Sequence, residues 1–374
     1  MLLIRILHVV ASMNRGGIET FLMNLYRNID REIIQFDFLV HTEEEGDYDS
    51  EIREYGGNIY SVSSRSAGLL KNRKELDSFF QKHKEFNIIH QHVSSLSYIE
   101  PLKIANKHGV KIRIIHSHNS QQTGSIIHQV LHRINKRSIK TIATDYFSCS
   151  KLAAQWMYPN RLINDNKIRL FNNGIEQEQF KYNSEIRQKI RRELNLDDNF
   201  VVGHIGRFHP QKNHEFLIDV FYSILKLKNK SKLLLVGDGF LRNSIQNKVR
   251  ALGLEDKVIF TGVRSDISEL LQAMDIFLLP SLYEGLPVVL VEAQASGLKC
   301  YTAAEVVTDE VNITGLVQHI SLNEPSDFWA ETIINNYSSE RINTSERIKT
   351  AGYDIRQGVE VLQKWYESRL ATIF

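Results

Sequence analysis

Ala273 to Leu298 read AMDIFLLPSLYEGLPVVLVEAQASGL, and the fold follows from how that stretch divides. Ile276 to Leu279 is an unbroken apolar run, the pattern of a strand buried on both faces. Pro280 and Ser281 stop it. Glu284, Gly285 and Leu286 make a sharp turn, Pro287 sits where a first helical residue belongs, and Val288 to Ala295 continues as a helix ended by Gly297. In an open parallel sheet, ligands bind beyond the carboxyl ends of the strands, beside the N-termini of the following helices. The turn from Gly285 to Val288 is therefore expected to present backbone N–H groups to an anion such as a diphosphate. Glu284 closes the strand side, and Glu292, eight positions later, projects from the helix. A carboxylate only accepts hydrogen bonds, so it suits a pair of sugar hydroxyls such as a ribose diol.

Upstream, Phe200–Ile205 is a strand followed by Gly206 and Arg207, with Lys212 five positions later. Arginine offers a bidentate fork and lysine a point charge, complementary ways to grip a diphosphate. Leu233–Val236 is a strand ending in Gly237-Asp238-Gly239, which lacks the third glycine of a dinucleotide fingerprint. Strand Val258–Phe260 leads to Thr261-Gly262. The first half alternates in the same way. Ile4–Val10 is a strand, Gly16-Gly17 a turn that lets a ligand approach backbone, and Ile18, Phe21, Leu22, Leu25, Tyr26 and Ile29 fall at helical spacing. Glu19 sits in that helix's first turn, where the dipole favours it. Strand-like runs follow at 36–41, 58–62, 88–92, 112–116, 146–150 and 168–171, with helical patterns between them. Such alternation argues for parallel sheets covered on both faces.

Two strands end in histidines: Ile88-Ile89-His90-Gln91-His92 and Ile114-Ile115-His116-Ser117-His118-Asn119. No carboxylate or cysteine accompanies them at ligand spacing, so the sequence does not favour a metal site. The one Asp-x-Asp, Asp47-Tyr48-Asp49, is read as a solvated acidic loop away from any rim. A formal charge of +2 does not describe a nucleic-acid binder, and 42% apolar with 24% charged residues describes a globular protein. Cys149 and Cys300 offer no disulfide framework, which fits a cytoplasmic setting. The opening residues read as a first strand rather than a secretion signal, because Arg5 and His8 interrupt the apolar run. No run approaches the ~20 apolar residues a membrane span needs, so membrane contact is expected to be peripheral. Residues 125–144 form a basic amphipathic pattern that suits either an anionic membrane or lipid diphosphate, or an ordinary solvated face. Lys71, Arg73, Lys74, Lys82 and Lys84 make a second basic cluster.

Glu284, seven residues and Glu292, preceded by Pro280-Ser281-Leu282-Tyr283 and joined by Gly285-Leu286-Pro287, resemble the signature of retaining glycosyltransferase family 4. The resemblance covers nearly the whole chain and is strongest from Gly203 to Gly297. It implies the GT-B fold: two Rossmann-like α/β domains facing a cleft. Residues 1–173 would bind acceptor, 174–350 the nucleotide sugar, and 351–374 form a helix returning to the first domain. A linker is expected in the charged stretch Glu176–Asp198, beginning near Gly174, with one helical pattern at Ser184–Leu194. By resemblance Glu292 holds the ribose, and Glu284 with Gly285, Leu286, Pro287 and Val288 contacts donor sugar and phosphates. Arg207 and Lys212 take the diphosphate, and Gly16 and Gly17 lie close to it. The family has a histidine immediately after the equivalent of the 112–116 strand; His116 is matched to it, with His118 as substitute. Asn173 lies in the junction turn Asn172-Asn173-Gly174-Ile175, and Val263 and Arg264 are candidates beneath the base. Lys299–Ala304 and Glu305–Val311 lack the family's glycines, which leaves the donor sugar open and looks like the capsule and exopolysaccharide subgroup.

The resemblance implies transfer with retained configuration from a nucleotide diphosphate sugar, UDP-linked by expectation, to a glycan or polyprenyl-linked acceptor. His116, Arg207, Lys212 and Glu284 would be the catalytic set, with neither metal nor cofactor. Rival readings are a GT-B sugar-nucleotide epimerase or hydrolase, and a non-catalytic nucleotide-sugar-binding partner. Arg207→Ala and Lys212→Ala are expected to lower turnover far more than stability, and His116→Ala to impair transfer while sparing UDP binding.

Overall fold

The computed structural model describes residues 3–119, 125–306 and 309–373. Positions 307 and 308, inside the departing segment 305–311, lie outside the described residues. The chain forms two compact units, Met1–Gly174 with Ile355–Phe374, and Ile175–Asp354.

The first unit carries seven strands: β1 (Ile4–Val9), β2 (Ile34–Val40), β3 (Ile59–Ser61), β4 (Ile88–Val93), β5 (Ile112–Ser117), β6 (Asp145–Ser148) and β7 (Ile168–Leu170). Their order is β3-β2-β1-β4-β5-β6-β7, and every neighbouring pair is parallel. Parallel strands need crossovers, which the intervening helices supply. Phe21, Leu22, Leu25 and Tyr26 of the Gly17–Asn28 helix cover one face, together with Val359, Leu362 and Tyr366 of the Ile355–Ala371 helix. Leu76, Phe79 and Phe80 of Leu69–Lys82, and Leu102 and Ile104 of Glu100–Lys107, cover the other. The strand reversal falls between β1 and β4, so the sheet's switch point lies there.

The second unit has six strands: β8 (Phe200–Ile205), β9 (Ser231–Val236), β10 (Val258–Phe260), β11 (Ile276–Leu279), β12 (Lys299–Ala303) and β13 (Val317–Ile320). The order β10-β9-β8-β11-β12-β13 is again wholly parallel and reverses between β8 and β11. Its core joins Val202, Leu233, Leu235, Ile276 and Leu278 to Phe221, Trp329 and Ile333 from helices. Ile175 and Asp354, the unit's first and last residues, form a parallel bridge with each other.

Two sequence expectations need correcting. The charged stretch 176–198 is not a free linker but part of the second unit. Arg187 on the Ser184–Glu193 helix bonds Asp275 at 2.6 Å and the carbonyls of Gln272 and Met274, while Arg191, 9% exposed, bonds Ala273 O at 2.8 Å. The charges that look like solvated surface in sequence satisfy the carbonyls ahead of β11. Asp47-Tyr48-Asp49 is solvated only at Asp47, and it lies against the loop after β1 rather than away from the rim. It follows β2, where Tyr48 N donates to Met13 O at 3.0 Å and Arg15 N to Asp47 Oδ2 at 2.9 Å, with Tyr48 and Asp49 buried. The segment is tied to the loop after β1 by the Arg15 N–H, which donates to it, and by the Met13 carbonyl, which accepts from it. Val317–Ile320 was not read as a strand, because two of its four residues are polar and the run is short.

Candidate functional site

In the second unit, the loops after β8 and β11 meet because these strands are neighbours, with Val202 opposite Ile276 and Gly203 opposite Phe277. The Pro210–Lys212 turn is fastened to the segment after β11 by two bonds. Leu282 N donates to Gln211 O at 2.8 Å, and Gln211 Nε2 donates to Tyr283 O at 3.0 Å. That fastening brings Lys212 Nζ to 2.6 Å from Glu284 Oε1, with Gln211 Nε2 at 3.2 Å from Oε2. The side chains are only 15% and 7% exposed, so this is an ion pair largely shielded from water. The stem of Lys212 passes over Gly206, where a Cβ would stand 3.2 Å from both Cδ and Cε. Gly237, at φ +130, backs the same strand end, and a Cβ there would lie 2.3 Å from Gly206 O. Gly237 is therefore fixed by close approach and by its backbone angle, while a Cβ on Gly206 would press on the Lys212 stem.

Arg207 lies beyond the end of β8 with its side chain exposed, and no described residue pairs with it. The helix after β11 runs Val288–Ala295 with Pro287 as its N-cap residue and Gly297 at φ +69 past its end. Leu290 N turns back to Pro287 O at 2.9 Å. Val288 and Val289 precede it and have no helical carbonyl within reach, so their N–H groups suit an anion. Gly285 is partly exposed and Leu286 is buried beside Glu284. Glu292 is partly exposed, its carboxylate has no hydrogen-bond donor among the described residues, and burial pushes it up to about 7. Glu284 is thus a paired carboxylate and Glu292 an unpaired one in a poorly solvating site. Arg264 is engaged in a fork with Asp266 at 2.8 and 2.6 Å, whereas Val263 is 60% exposed.

In the first unit, Gly16 is the N-cap of the Gly17–Asn28 helix in extended backbone (φ −148), and a Cβ on Gly17 would meet nothing within 4 Å. Gly17 is not demanded by the chain's own packing, which leaves open room there beyond β1. Along that face each strand changes character towards its carboxyl end. Ile6 gives way to His8, Ile88 to His90 and His92, and Ile112 and Ile114 to His116 and His118, all at the alternate positions that share one face. Register sets His8 beside His90 and His92 beside His116. The rings form two hydrogen-bonded chains. His8 Nδ1 and His92 Nε2 are 3.0 Å apart, and His92 Nδ1 and His118 Nε2 are 2.9 Å apart. Tyr366 Oη lies 2.7 Å from His90 Nδ1, and His90 Nε2 lies 3.2 Å from His116 Nδ1. Burial lowers the pKa of all five, His8 and His118 to about 3.

His116 therefore lies inside β5 with no exposed surface, and the histidine that immediately follows the strand is His118. Sequence reading placed first weight on His116 because the strand's apolar run stops there; the structure extends β5 to Ser117. Ring nitrogens of His8, His90 and His92, and of His92, His116 and His118, come within 4.8 Å of one another. A divalent ion there would have to displace imidazole–imidazole hydrogen bonds. Asn173 is buried, with Oδ1 unpartnered among the described residues. Gln211 and Tyr366 carry no site signal in the sequence. Each acts through a partner distant in the chain, which leaves no local signal.

Residues 186–354 match the family described as Glycosyl transferases group 1. EpsF of Bacillus subtilis strain 168, which is assigned as a glycosyltransferase, is 35% identical over 370 residues, spanning 97% of this chain and 96% of that protein. An Escherichia coli protein named UDP-Gal:alpha-D-GlcNAc-diphosphoundecaprenol alpha-1,3-galactosyltransferase is 27% identical over 316 residues, spanning 79% of this chain and 78% of its own. Among solved structures, Anabaena Alr3699/HepE in complex with UDP and glucose superposes with a TM-score of 0.78 at 19% identity, covering 98% of this chain and 100% of that one. At that identity the likeness is one of fold.

Proposed function

Because the chain belongs to the Glycosyl transferases group 1 family, we propose that it moves a sugar from a UDP-sugar to a glycan or polyprenyl-linked acceptor in surface polysaccharide synthesis, with retained anomeric configuration. The observation that carries this reading is the Lys212–Glu284 pair at the switch point between β8 and β11, with Arg207 on the loop after β8 and the unpaired Glu292 on the helix after β11. The names of relatives support the donor and acceptor: one carries a UDP-linked donor and a lipid diphosphate acceptor, and the Anabaena structure holds UDP.

In this reading the ribose diol donates to Glu292, and the diphosphate sits between Arg207 and the N–H groups of Val288 and Val289. The bond from sugar C1 to the leaving phosphate oxygen breaks as the acceptor oxygen bonds to C1 on the same face. The acceptor's proton passes to the leaving phosphate, so no protein nucleophile is used. Negative charge grows on the diphosphate, where donors already in place stabilise it most. Lys212 orients Glu284 towards sugar hydroxyls, and His118, with His116 behind it, serves the acceptor side. Metal ions and cofactors take no part, and the chain works in the cytoplasm, peripherally on the membrane's inner face.

Incubation with a panel of nucleotide sugars, with and without lipid-linked acceptor, tests this. Transfer that needs acceptor and survives chelator is the expected result. Conversion of donor alone would make the protein an epimerase or hydrolase, and donor binding without turnover would make it a non-catalytic partner.

A further inference from the structure

The Ile126–Ile142 helix turns apolar side chains to solvent along its first half. Its inner face is built from His132, Asn135 and Ile139, all buried. His132 Nδ1 accepts from Leu96 N at 3.1 Å, Asn135 Nδ2 donates to Leu96 O at 2.6 Å, and the His132 ring stacks on Trp156 at 4.3 Å. The outer face carries four aliphatic residues: Ile126 is 78% exposed, Ile127 66%, Val130 45% and Ile134 54%. A helix of an ordinary globular surface does the opposite. At 100° per residue these four share one side with Arg133, Arg137 and Lys140, which are exposed and have no partner among the described residues. The helix contains no acidic residue.

Beside this face is an open pocket of about 600 Å³, between Arg133, Arg137 and Lys140 on one wall and Arg161, Leu162 and Asp165 on the other. Arg161 lies 3.7 Å from Asp165, a loose pair at the mouth. Lys136 at the back is already used, donating to Gln155 O at 3.0 Å and Trp156 O at 2.6 Å. The pocket flanks the half of the helix remote from the carboxyl end of β5, so it is separate from the histidine rim.

We propose that this face docks on an anionic phospholipid bilayer. The aliphatic side chains enter the boundary between headgroups and acyl chains, and Arg133, Arg137, Lys140 and Arg161 hold lipid phosphates in and around the pocket. Aliphatic side chains flanked by unpaired cations fit this partner, because an interfacial helix combines apolar burial with attraction to anionic headgroups. This deepens the peripheral placement proposed above, and the test separates the two.

The full chain is floated with vesicles of phosphatidylcholine, alone or with about 30% phosphatidylglycerol, at low salt and at about 0.5 M. Expected are binding to the anionic vesicles only, weakening with salt, and loss of about tenfold or more in partitioning for Ile127→Glu with Ile134→Glu, and for Arg133→Glu with Arg137→Glu. All four positions are exposed, so melting temperature and UDP binding should stay at the parent values. Anionic binding that survives both double variants keeps the peripheral placement and overturns this surface. No binding by the parent chain overturns both. Equal binding to neutral vesicles removes the cation role, and a concentration-dependent dimer abolished by Ile127→Glu with Ile134→Glu would assign the face to a second copy instead.

Discussion

Arg207 and Lys212 carry the same charge in different surroundings, and substitution should separate them. Arg207 is exposed and unpaired among the described residues, so Arg207→Ala is expected to change stability by no more than about 0.5 kcal/mol while lowering transfer at least ~100-fold. Lys212→Ala removes the partner of a carboxylate whose side chain is 7% exposed, and is expected to cost about 3 kcal/mol of stability as well as turnover. This revises, for Lys212, the sequence expectation that both substitutions lower turnover far more than stability. Thermal melts alongside initial rates check it; equal melting temperatures for the two variants would count against the buried pair. Glu292 gives a second prediction. Its carboxyl is raised to about 7 by burial, and hydroxyl donors from a ribose would favour the ionised form. UDP binding near pH 6.5 should release a proton, and affinity should rise as pH climbs towards and through 7. Titration calorimetry in buffers of different ionisation enthalpy measures the release, which Glu292→Gln should abolish.

The carboxyl half of one sheet face, across β1, β4 and β5, is the element most exposed to pH. All five histidines have folded pKa values below the ordinary 6.5, so the unfolded chain binds more protons between roughly pH 3 and 6.5. Their contribution is intact above that window and is lost as pH falls, by up to roughly 1.4 kcal/mol per pH unit for each histidine. Glu292, with a raised pKa, acts in the opposite sense between about 4.5 and 7, but it is one group against five. Melting temperature should therefore drop steeply from pH 7 to pH 5. Replacing His8 by Phe, which removes one titrating ring, should flatten the drop. A profile indifferent to pH over that range would show that these rings are not the neutral buried set described above.

At the scale of the whole molecule, the first unit is completed by residues far along the chain. Ile355, Val359, Leu362 and Tyr366 belong to its core, Tyr366 Oη bonds His90 Nδ1 at 2.7 Å, and Arg369 bonds Asp145 at 2.9 Å. Removing residues 355–374 would uncover Phe21 and Phe147 and leave His90 Nδ1 without its partner. Such a truncation is expected to lose the cooperative melt of the first unit while the second, whose core draws only on 175–354, still unfolds cooperatively. Calorimetry on the truncated chain reads both transitions; an unchanged first transition would mean that the helix is dispensable packing.

Alternation of apolar runs with helical spacing was legible in the chain itself, and so were the turn at Glu284–Pro287, the helix Val288–Ala295 and the placement of Arg207 beyond a strand. Those features depend on local sterics and on the periods of helix and strand, which are written residue by residue. What only tertiary structure decided were pairings between distant residues: Lys212 with Glu284, Arg191 with the carbonyls ahead of β11, Asp47 with the loop after β1, and the joining of five histidines and Tyr366 into two chains. A charge in a sequence looks the same whether water or a buried partner solvates it. Burial and distance distinguish the two cases, and both are properties of the folded chain.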